Sequence, residues 1–160
     1  MKIMCDYDGT FMVPEGQRST ESILHFPLVR MTVAFLSWFK IFSSVASRRF
    51  IPNHDLIARI NRETEWGTVS LFFVSGRGSK NMPDMIKHIS ATDLDFDKIK
   101  ITIILRDNIF ERHSEFKKKI AEKIAPDVIL EDCHYYRKAM ASVASEKTLI
   151  LSPNWRIMAR

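Results

Sequence analysis

Two aspartates follow the first apolar segment of the chain. Residues 2–6 (KIMCD) end in Asp6, and residues 7–10 (YDGT) then bring a second carboxylate, Asp8, two positions later. Two carboxylates at this spacing can hold Mg²⁺, which prefers hard oxygen ligands. One of them can also attack phosphorus while the other transfers a proton. The same residues are equally typical of an acidic turn, so the pair alone leaves both interpretations open.

A second group of polar residues follows the apolar segment 68–74 (TVSLFFV). Ser75, Gly76 and Arg77 combine a hydroxyl, a small residue with an accessible backbone amide, and a guanidinium. These are groups that bind phosphate oxygens. A simple glycine turn would explain the same three residues without a ligand.

Basic and acidic side chains later in the chain could complete a site. Lys117, Lys118 and Lys119 lie where apolar residues recur at helical spacing, and Lys117 and Lys119 flank that stripe. Either could reach inward and stabilise charge around a nucleophile, although a solvated helix face explains all three.

Glu131 and Asp132 follow the next apolar segment. Burying that pair requires a cation, whereas an acidic helix start requires none.

Alternating apolar and helical segments must position these groups. Strands are predicted at 2–6, 68–74, 99–105, 127–131 and 147–151, because continuous apolar runs are typical of strands buried on both faces. Helices are predicted between them, at 80–91, 111–125 and 134–145. The alternation predicts an α/β fold with a doubly wound, mainly parallel five-stranded Rossmann-like sheet. Ligands of such sheets bind beyond the carboxyl ends of the strands, where the candidate groups fall.

The long segment 11–67 separates the first predicted strand from the second. We predict that it forms a small helical cap inserted within one domain, residues 1–160, with an apolar helix at 23–46 and a second helix near 54–65. The apolar helix carries a heptad-like seam of Leu24, Leu28, Met31, Phe35, Trp38, Phe42 and Val45.

The seam has more than one interpretation. It favours packing between cap helices, with a homodimer through the cap helix or binding to a membrane surface as alternatives. Because Arg30 and Lys40 interrupt the segment, we expect no membrane span.

Charge and cysteine content narrow the class of protein. The net charge of +5 favours anionic partners, but no basic patch indicates nucleic acid. Cys5 and Cys133 are too few for a disulfide scaffold and do not form a zinc-like pair. With no apolar leader at the start of the sequence, we expect a cytoplasmic protein with reduced cysteines.

The ordered set of candidate residues resembles the haloacid dehalogenase-like (HAD) hydrolase superfamily. Residues 6–10 (DYDGT) are similar to its first motif, residues 71–77 (LFFVSGR) to its second, Lys117 to its third and residues 131–132 (ED) to its acidic fourth. The resemblance covers the whole core, and residues 11–67 lie where that superfamily carries its first type of cap. The fourth motif begins with Glu where many members have Asp or Gly, and the cap shows no motif for a substrate.

The resemblance implies a role for each motif residue. Asp6 would form an aspartyl-phosphate, and Asp8 would act as general acid and base. The phosphate would be held by Ser75, Lys117 and the backbone amide of Tyr7 or Gly76. Mg²⁺ would be held by Asp6, the backbone carbonyl of Asp8 and Asp132, with Glu131 as a helper.

Finer likenesses point to the rest of the substrate. Arg106 after the third strand, together with Arg77, resembles the 3′-phosphatase domain of bacteriophage polynucleotide kinase, and the chain is also similar to deoxyribonucleotidase-like phosphatases. Residues 152–155 (SPNW) resemble the proline-containing loop that follows the last strand in such proteins. Arg77, Thr10 and Arg106 are therefore expected to contact the substrate.

The expected function is hydrolysis of a phosphate monoester by a Mg²⁺-dependent phosphatase, on a phosphorylated small molecule, a nucleotide or a nucleic-acid end. Two alternatives stand beside it. The chain could be an interaction protein that uses the apolar stripe at 24–45, or a phosphotransferase that uses the same residues with another acceptor.

Overall fold

A computed structural model describes residues 1–15 and 50–152 of the chain. Within these ranges five strands form one parallel sheet, in the order β5-β4-β1-β6-β7. These strands are β1 (Lys2–Asp6), β4 (Val69–Ser75), β5 (Ile99–Leu105), β6 (Val128–Leu130) and β7 (Leu149–Leu151). The prediction of an α/β chain built on five parallel strands is confirmed.

Strand β1 occupies the centre of the sheet. It pairs in parallel with β4, where Asp6 is opposite Val74, and with β6, where Cys5 is opposite Leu130. Because side chains alternate along a strand, Ile3 and Cys5 belong to one buried apolar cluster and Met4 to another. Burial on both faces explains why this strand is apolar at every interior position.

Four helices are described: α1 (His54–Glu63), α2 (Met82–Ser90), α3 (His113–Ile124) and α4 (His134–Ala141). Buried residues of α1 and α2 share a cluster with Ile3 and Cys5, whereas those of α3 and α4 share a cluster with Met4. Each helix lies within its predicted range. The largest difference is at α4, which ends at Ala141 instead of 145.

The described part of the segment 11–67 contains strands as well as a helix. Strands β2 (Met12–Pro14) and β3 (Phe50–Pro52) pair antiparallel, a feature that the sequence did not predict. Helix α1 follows directly, and its buried residues pack into the same apolar cluster as β1 and β4. This part of the segment therefore adds to the core beside the sheet.

Several expectations concern residues outside the described ranges. The apolar helix at 23–46, its heptad seam and most of the loop 152–155 belong to them. In the described part of the chain, none of the helices has the length and apolarity needed to cross a membrane.

Candidate active site

The loops that follow β1, β4 and β6 bring the candidate residues to one edge of the sheet. Asp6 ends β1, Ser75 ends β4, and Glu131 and Asp132 come directly after β6. Since β1 lies between β4 and β6, these three strand ends are neighbours. The parallel order of the sheet is what collects residues that are far apart in the sequence.

Three buried carboxylates form an acidic cluster, which consists of Asp6, Glu131 and Asp132. One carboxylate oxygen from each lies within 4.8 Å of the others. Asp6 is 7% exposed, Glu131 1% and Asp132 2%, so bulk water offers little screening of their charges. Carboxylates held so close in the interior require positive charge to stay ionised.

Lys117 supplies one positive charge to the acidic cluster. Its Nζ donates to Oδ1 of Asp6 at 2.8 Å and to Oε2 of Glu131 at 2.5 Å. It also lies 4.5 Å from the ring centroid of Tyr136. Lys119, the alternative at the sequence level, is exposed and pairs with Glu111 instead. Lys117 is thus the lysine of this helix that reaches inward.

Burial dominates the electrostatics of the acidic cluster. It raises the pKa of Asp6 well above its usual range and the pKa of Glu131 to about 7, in spite of the nearby lysine. Burial alone would lower the pKa of Lys117, but Asp6 and Glu131 raise it above its usual value. Lys117 therefore stays charged, and one ammonium is too little to balance the three carboxylates.

The donor set suits a small hard cation. The three carboxylates offer oxygen ligands from two neighbouring strand ends, close enough to meet at one ion. Mg²⁺ binds such oxygens in preference to softer ligands. The predicted ligands Asp6, Asp132 and Glu131 are thus together, while the contribution of the Asp8 backbone carbonyl stays a prediction.

The carboxylate of Asp8 belongs to a second polar group beside the acidic cluster. Nη2 and Nε of Arg77 donate to Oδ1 and Oδ2 of Asp8, at 2.6 and 3.0 Å. The hydroxyl of Ser75 donates to Oδ2 at 3.1 Å. Burial would raise the pKa of Asp8, but the Arg77 guanidinium and these hydrogen bonds hold it below its usual range. In this arrangement Asp8 is a carboxylate.

One side-chain nitrogen of Arg77, Nη1, makes no hydrogen bond to Asp8. The residue is 6% exposed, and Nη1 is buried without a hydrogen-bond partner among the described residues. A buried donor without an acceptor is costly, so this nitrogen is suited to an incoming oxyanion.

Side chains of Thr10, Asn53 and Arg137 hold the backbone of the two acidic loops in place. The Thr10 hydroxyl accepts from the backbone N–H of Asp132 at 3.0 Å, and the Thr10 carbonyl accepts from Nδ2 of Asn53 at 3.1 Å. Nη1 of Arg137 donates to the carbonyls of Glu131 and Asp132, at 2.7 and 2.9 Å. Thr10, expected to contact substrate, is fully buried and joins loops in this structure.

Gly76 lies against the ring of His113, at the start of α3. A Cβ at position 76 would meet Nε2 of His113 at 1.9 Å, so no larger residue fits without movement. Burial, with the charges of Arg106 and Lys117, lowers the pKa of His113 to about 3, so the ring is neutral. Its Nδ1 is 3.3 Å from the Tyr136 hydroxyl.

The side chains of Arg106 and Tyr7 are both buried. Arg106 is buried, and its Nη1 donates to the carbonyl of Glu111 at 2.7 Å, within the loop that leads to α3. The ring of Tyr7 is fully buried in the core. The expected roles of Arg106 in substrate binding and of the Tyr7 and Gly76 amides in phosphate binding stay predictions.

Sequence reasoning missed the residues that support the site. These are Asn53, His88, His113, Tyr136 and Arg137. None is part of a recognisable spacing, and the sequence carries no signal for them apart from their position on predicted helices. Cys5 and Cys133 are both buried, and neither is part of a disulfide.

No protein-family model, curated protein or solved structure matches the chain. The interpretation of the site therefore depends on its own geometry. A buried carboxylate beside a lysine, a place for a hard cation, and an arginine with a spare donor can together bind an oxyanion and attack it.

Proposed function

We propose that this chain is a Mg²⁺-dependent phosphatase of the haloacid dehalogenase-like type, with Asp6 as nucleophile. The proposal includes a doubly wound, Rossmann-like sheet with a cap within 11–67. One observation carries it: Lys117 binds both Asp6 and Glu131 inside the buried acidic cluster, while Ser75 and Arg77 lie beside it on Asp8. An acidic turn on a surface would need neither the burial nor the lysine.

Asp6 is suited to the attack on phosphorus because its carboxylate is already oriented. Lys117 holds Oδ1, which leaves the other oxygen to form a bond to phosphorus as the ester oxygen departs. The positive charge of Lys117 also offsets repulsion between the carboxylate and an anionic phosphate. The product of this step is an aspartyl-phosphate.

Asp6 and Asp132 would hold Mg²⁺, with Glu131 as a helper, and the ion would supply positive charge next to the phosphoryl oxygens. The three carboxylates fit this role because they are buried, close together and short of positive charge. Arg137 and Thr10 keep the second acidic loop in place through its backbone.

Asp8 would transfer the protons of the reaction. It gives a proton to the leaving alcohol, then takes one from the water that attacks phosphorus and breaks the Asp6–phosphorus bond. While Arg77 binds both of its oxygens, Asp8 holds no proton at neutral pH. The phosphate must therefore draw Arg77 and Ser75 toward itself, and Asp8 must take up a proton from solvent, before Asp8 can act as an acid.

Hydrolysis of an aryl phosphate tests the proposal. We expect turnover by the wild type with Mg²⁺, no turnover with EDTA, and a loss of at least about 10³-fold in Asp6→Asn. Asp97→Asn is the matched control, because it makes the same change at an exposed position. Full activity in Asp6→Asn, or no turnover by a well-folded wild type over a panel of nucleotides and 3′-phosphorylated oligonucleotides, would contradict it.

A further inference from the structure

A partly buried hydrogen bond near the site has no part in the mechanism above. The hydroxyl of Tyr7, between the two aspartates in sequence, is 2.9 Å from Nδ1 of His88 on helix α2. The ring of Tyr7 is fully buried, against the rings of Phe11 and Phe73. A polar contact placed inside an aromatic cluster fixes the ring that carries it.

The direction of this hydrogen bond depends on the tautomer of His88. The buried Tyr7 hydroxyl needs an acceptor for its proton, and Nδ1 of His88 lies within hydrogen-bond distance. His88 is then neutral, with its own proton on Nε2. Burial and the charge of Arg77 also lower the pKa of His88, which favours the neutral ring.

Tyr7 connects His88 to the residues that bind Asp8. The guanidinium carbon of Arg77 lies 5.3 Å from the ring centroid of Tyr7, within the range of a cation–π contact. The same guanidinium binds both oxygens of Asp8. A continuous set of contacts therefore leads from α2 to the proposed acid and base, through a tyrosine ring and an arginine.

We propose that His88 is a positioning residue, which orients Arg77, and through it Asp8, by fixing the ring of Tyr7. Its effect on catalysis rests on the proposed function, but its effect on Arg77 does not. Without this hydrogen bond the ring of Tyr7 would be held less firmly, and Arg77 would lose part of the fixed surface beneath it.

The side-chain Nε–H of Arg77 reports directly on this arrangement. It is buried and bound to Asp8, so its exchange with water should be slow and its NMR signal visible. Loss of the signal in Arg77→Lys would assign it. We expect about tenfold faster exchange in His88→Ala and in Tyr7→Phe, as for one lost hydrogen bond. In His88→Asn the amide oxygen can accept from Tyr7, so exchange should stay near that of the wild type.

Controls separate positioning from a general loss of stability. Lys87→Ala changes an exposed neighbour on the same helix and should leave the exchange unchanged. The double variant Tyr7→Phe/His88→Ala should match the single variants, because both changes break the same contact. Equal Arg77 Nε–H exchange in the wild type and in His88→Ala would overturn the inference, as would a failure of His88→Asn to restore it.

Kinetics then distinguish the two proposals. With a phosphate ester and Mg²⁺ we expect kcat to fall about tenfold in His88→Ala while KM changes little, with recovery in His88→Asn. If the wild type hydrolyses nothing yet Arg77 responds to His88 as described, the proposed function fails and the positioning role stands. If the wild type is active and neither kcat nor the Arg77 signal responds to His88, the positioning role fails alone.

Discussion

The ammonium of Lys117 lies between two carboxylates that are themselves buried, those of Asp6 and Glu131. Its side chain is 4% exposed, so water cannot take its place if it is removed. A buried ion pair adds little net stability when intact, but the loss of one partner leaves a buried charge without compensation. Lys117 is therefore a residue whose replacement should be costly for both folding and catalysis.

We expect Lys117→Met to lower the free energy of unfolding by about 3–5 kcal/mol in EDTA, because Asp6 and Glu131 lose their shared cation. Catalysis should fall by at least about 10²-fold. Added Mg²⁺ should recover part of the stability, as measured by urea unfolding. Lys119→Met removes an exposed lysine of the same helix and should have little effect on either. Equal effects of the two changes would contradict this assignment.

Position 76 requires glycine because the His113 ring leaves no space for a side chain, and not because of its backbone conformation. We expect Gly76→Ala to lower the free energy of unfolding by about 1–3 kcal/mol, because the new methyl group overlaps the His113 ring. The cost should be smaller in a His113→Ala background, where that space is empty. A double-mutant cycle measures the difference. If the cost of Gly76→Ala is the same in both backgrounds, the overlap is not its cause.

The proximity of candidate side chains was predictable where a side chain lies at the end of an apolar strand. Asp6, Ser75 and the pair at 131–132 were identified because their types and positions imply a ligand. His88 and Arg137 were not, since each works through a contact that spans helix and loop, and their sequence positions indicate no partner.

Helix α1 is the element that links the segment 11–67 to the site. Asn53 caps it, and Oδ1 accepts from the backbone N–H of Leu56 at 3.2 Å. The other side-chain atom of the same amide, Nδ2, donates to the Thr10 carbonyl. One residue therefore starts the helix and holds the loop that carries Asp8.

Replacement of Asn53 separates these two tasks. Asn53→Ala should lower the free energy of unfolding by about 1–2 kcal/mol, because both the cap and the bond to Thr10 are lost. Asn53→Asp keeps an oxygen for the cap and should be less destabilising, yet it also loses the donor to Thr10. Both variants should therefore show reduced kcat. The assignment is wrong if Asn53→Asp is as unstable as Asn53→Ala.

The strands and helices were predicted correctly where burial produces a recognisable pattern of apolar residues in the sequence. The five strands of the sheet are rich in apolar residues, which follows from packing on both faces of most of them. Strands β2 and β3 were missed because each has three residues and includes a proline, which donates no hydrogen bond to a ladder. Their pairing is set by position in space, which a local pattern does not encode.

The acidic cluster should also make the stability of the whole molecule depend on pH. Burial raises the pKa of Glu131 from its ordinary 4.5 to about 7, so between these values the folded chain binds a proton that the unfolded chain has lost. The stability that protonation of Glu131 contributes is fully present below about pH 4.5 and is lost as the pH rises through 7.

Glu131→Gln isolates this contribution. In EDTA the variant should match the wild type near pH 4.5 and be more stable than it at pH 8, by up to about 3 kcal/mol. Urea unfolding of both proteins at several pH values measures the difference, and Mg²⁺ should reduce it because the ion stabilises the ionised carboxylate. A difference between the two proteins that does not vary with pH would contradict the prediction.

The central place of β1 also sets the order in which the molecule can be assembled during synthesis. Of the five strands of the sheet this one is made before the others, and its two neighbours lie at 69–75 and 128–130. At about 5–20 residues per second, a ribosome needs about 6–25 s to pass from Asp6 to Asp132. Until then Asp6, the proposed nucleophile, lacks Glu131 and Asp132 beside it, so the proposed active site cannot form on a partly made chain.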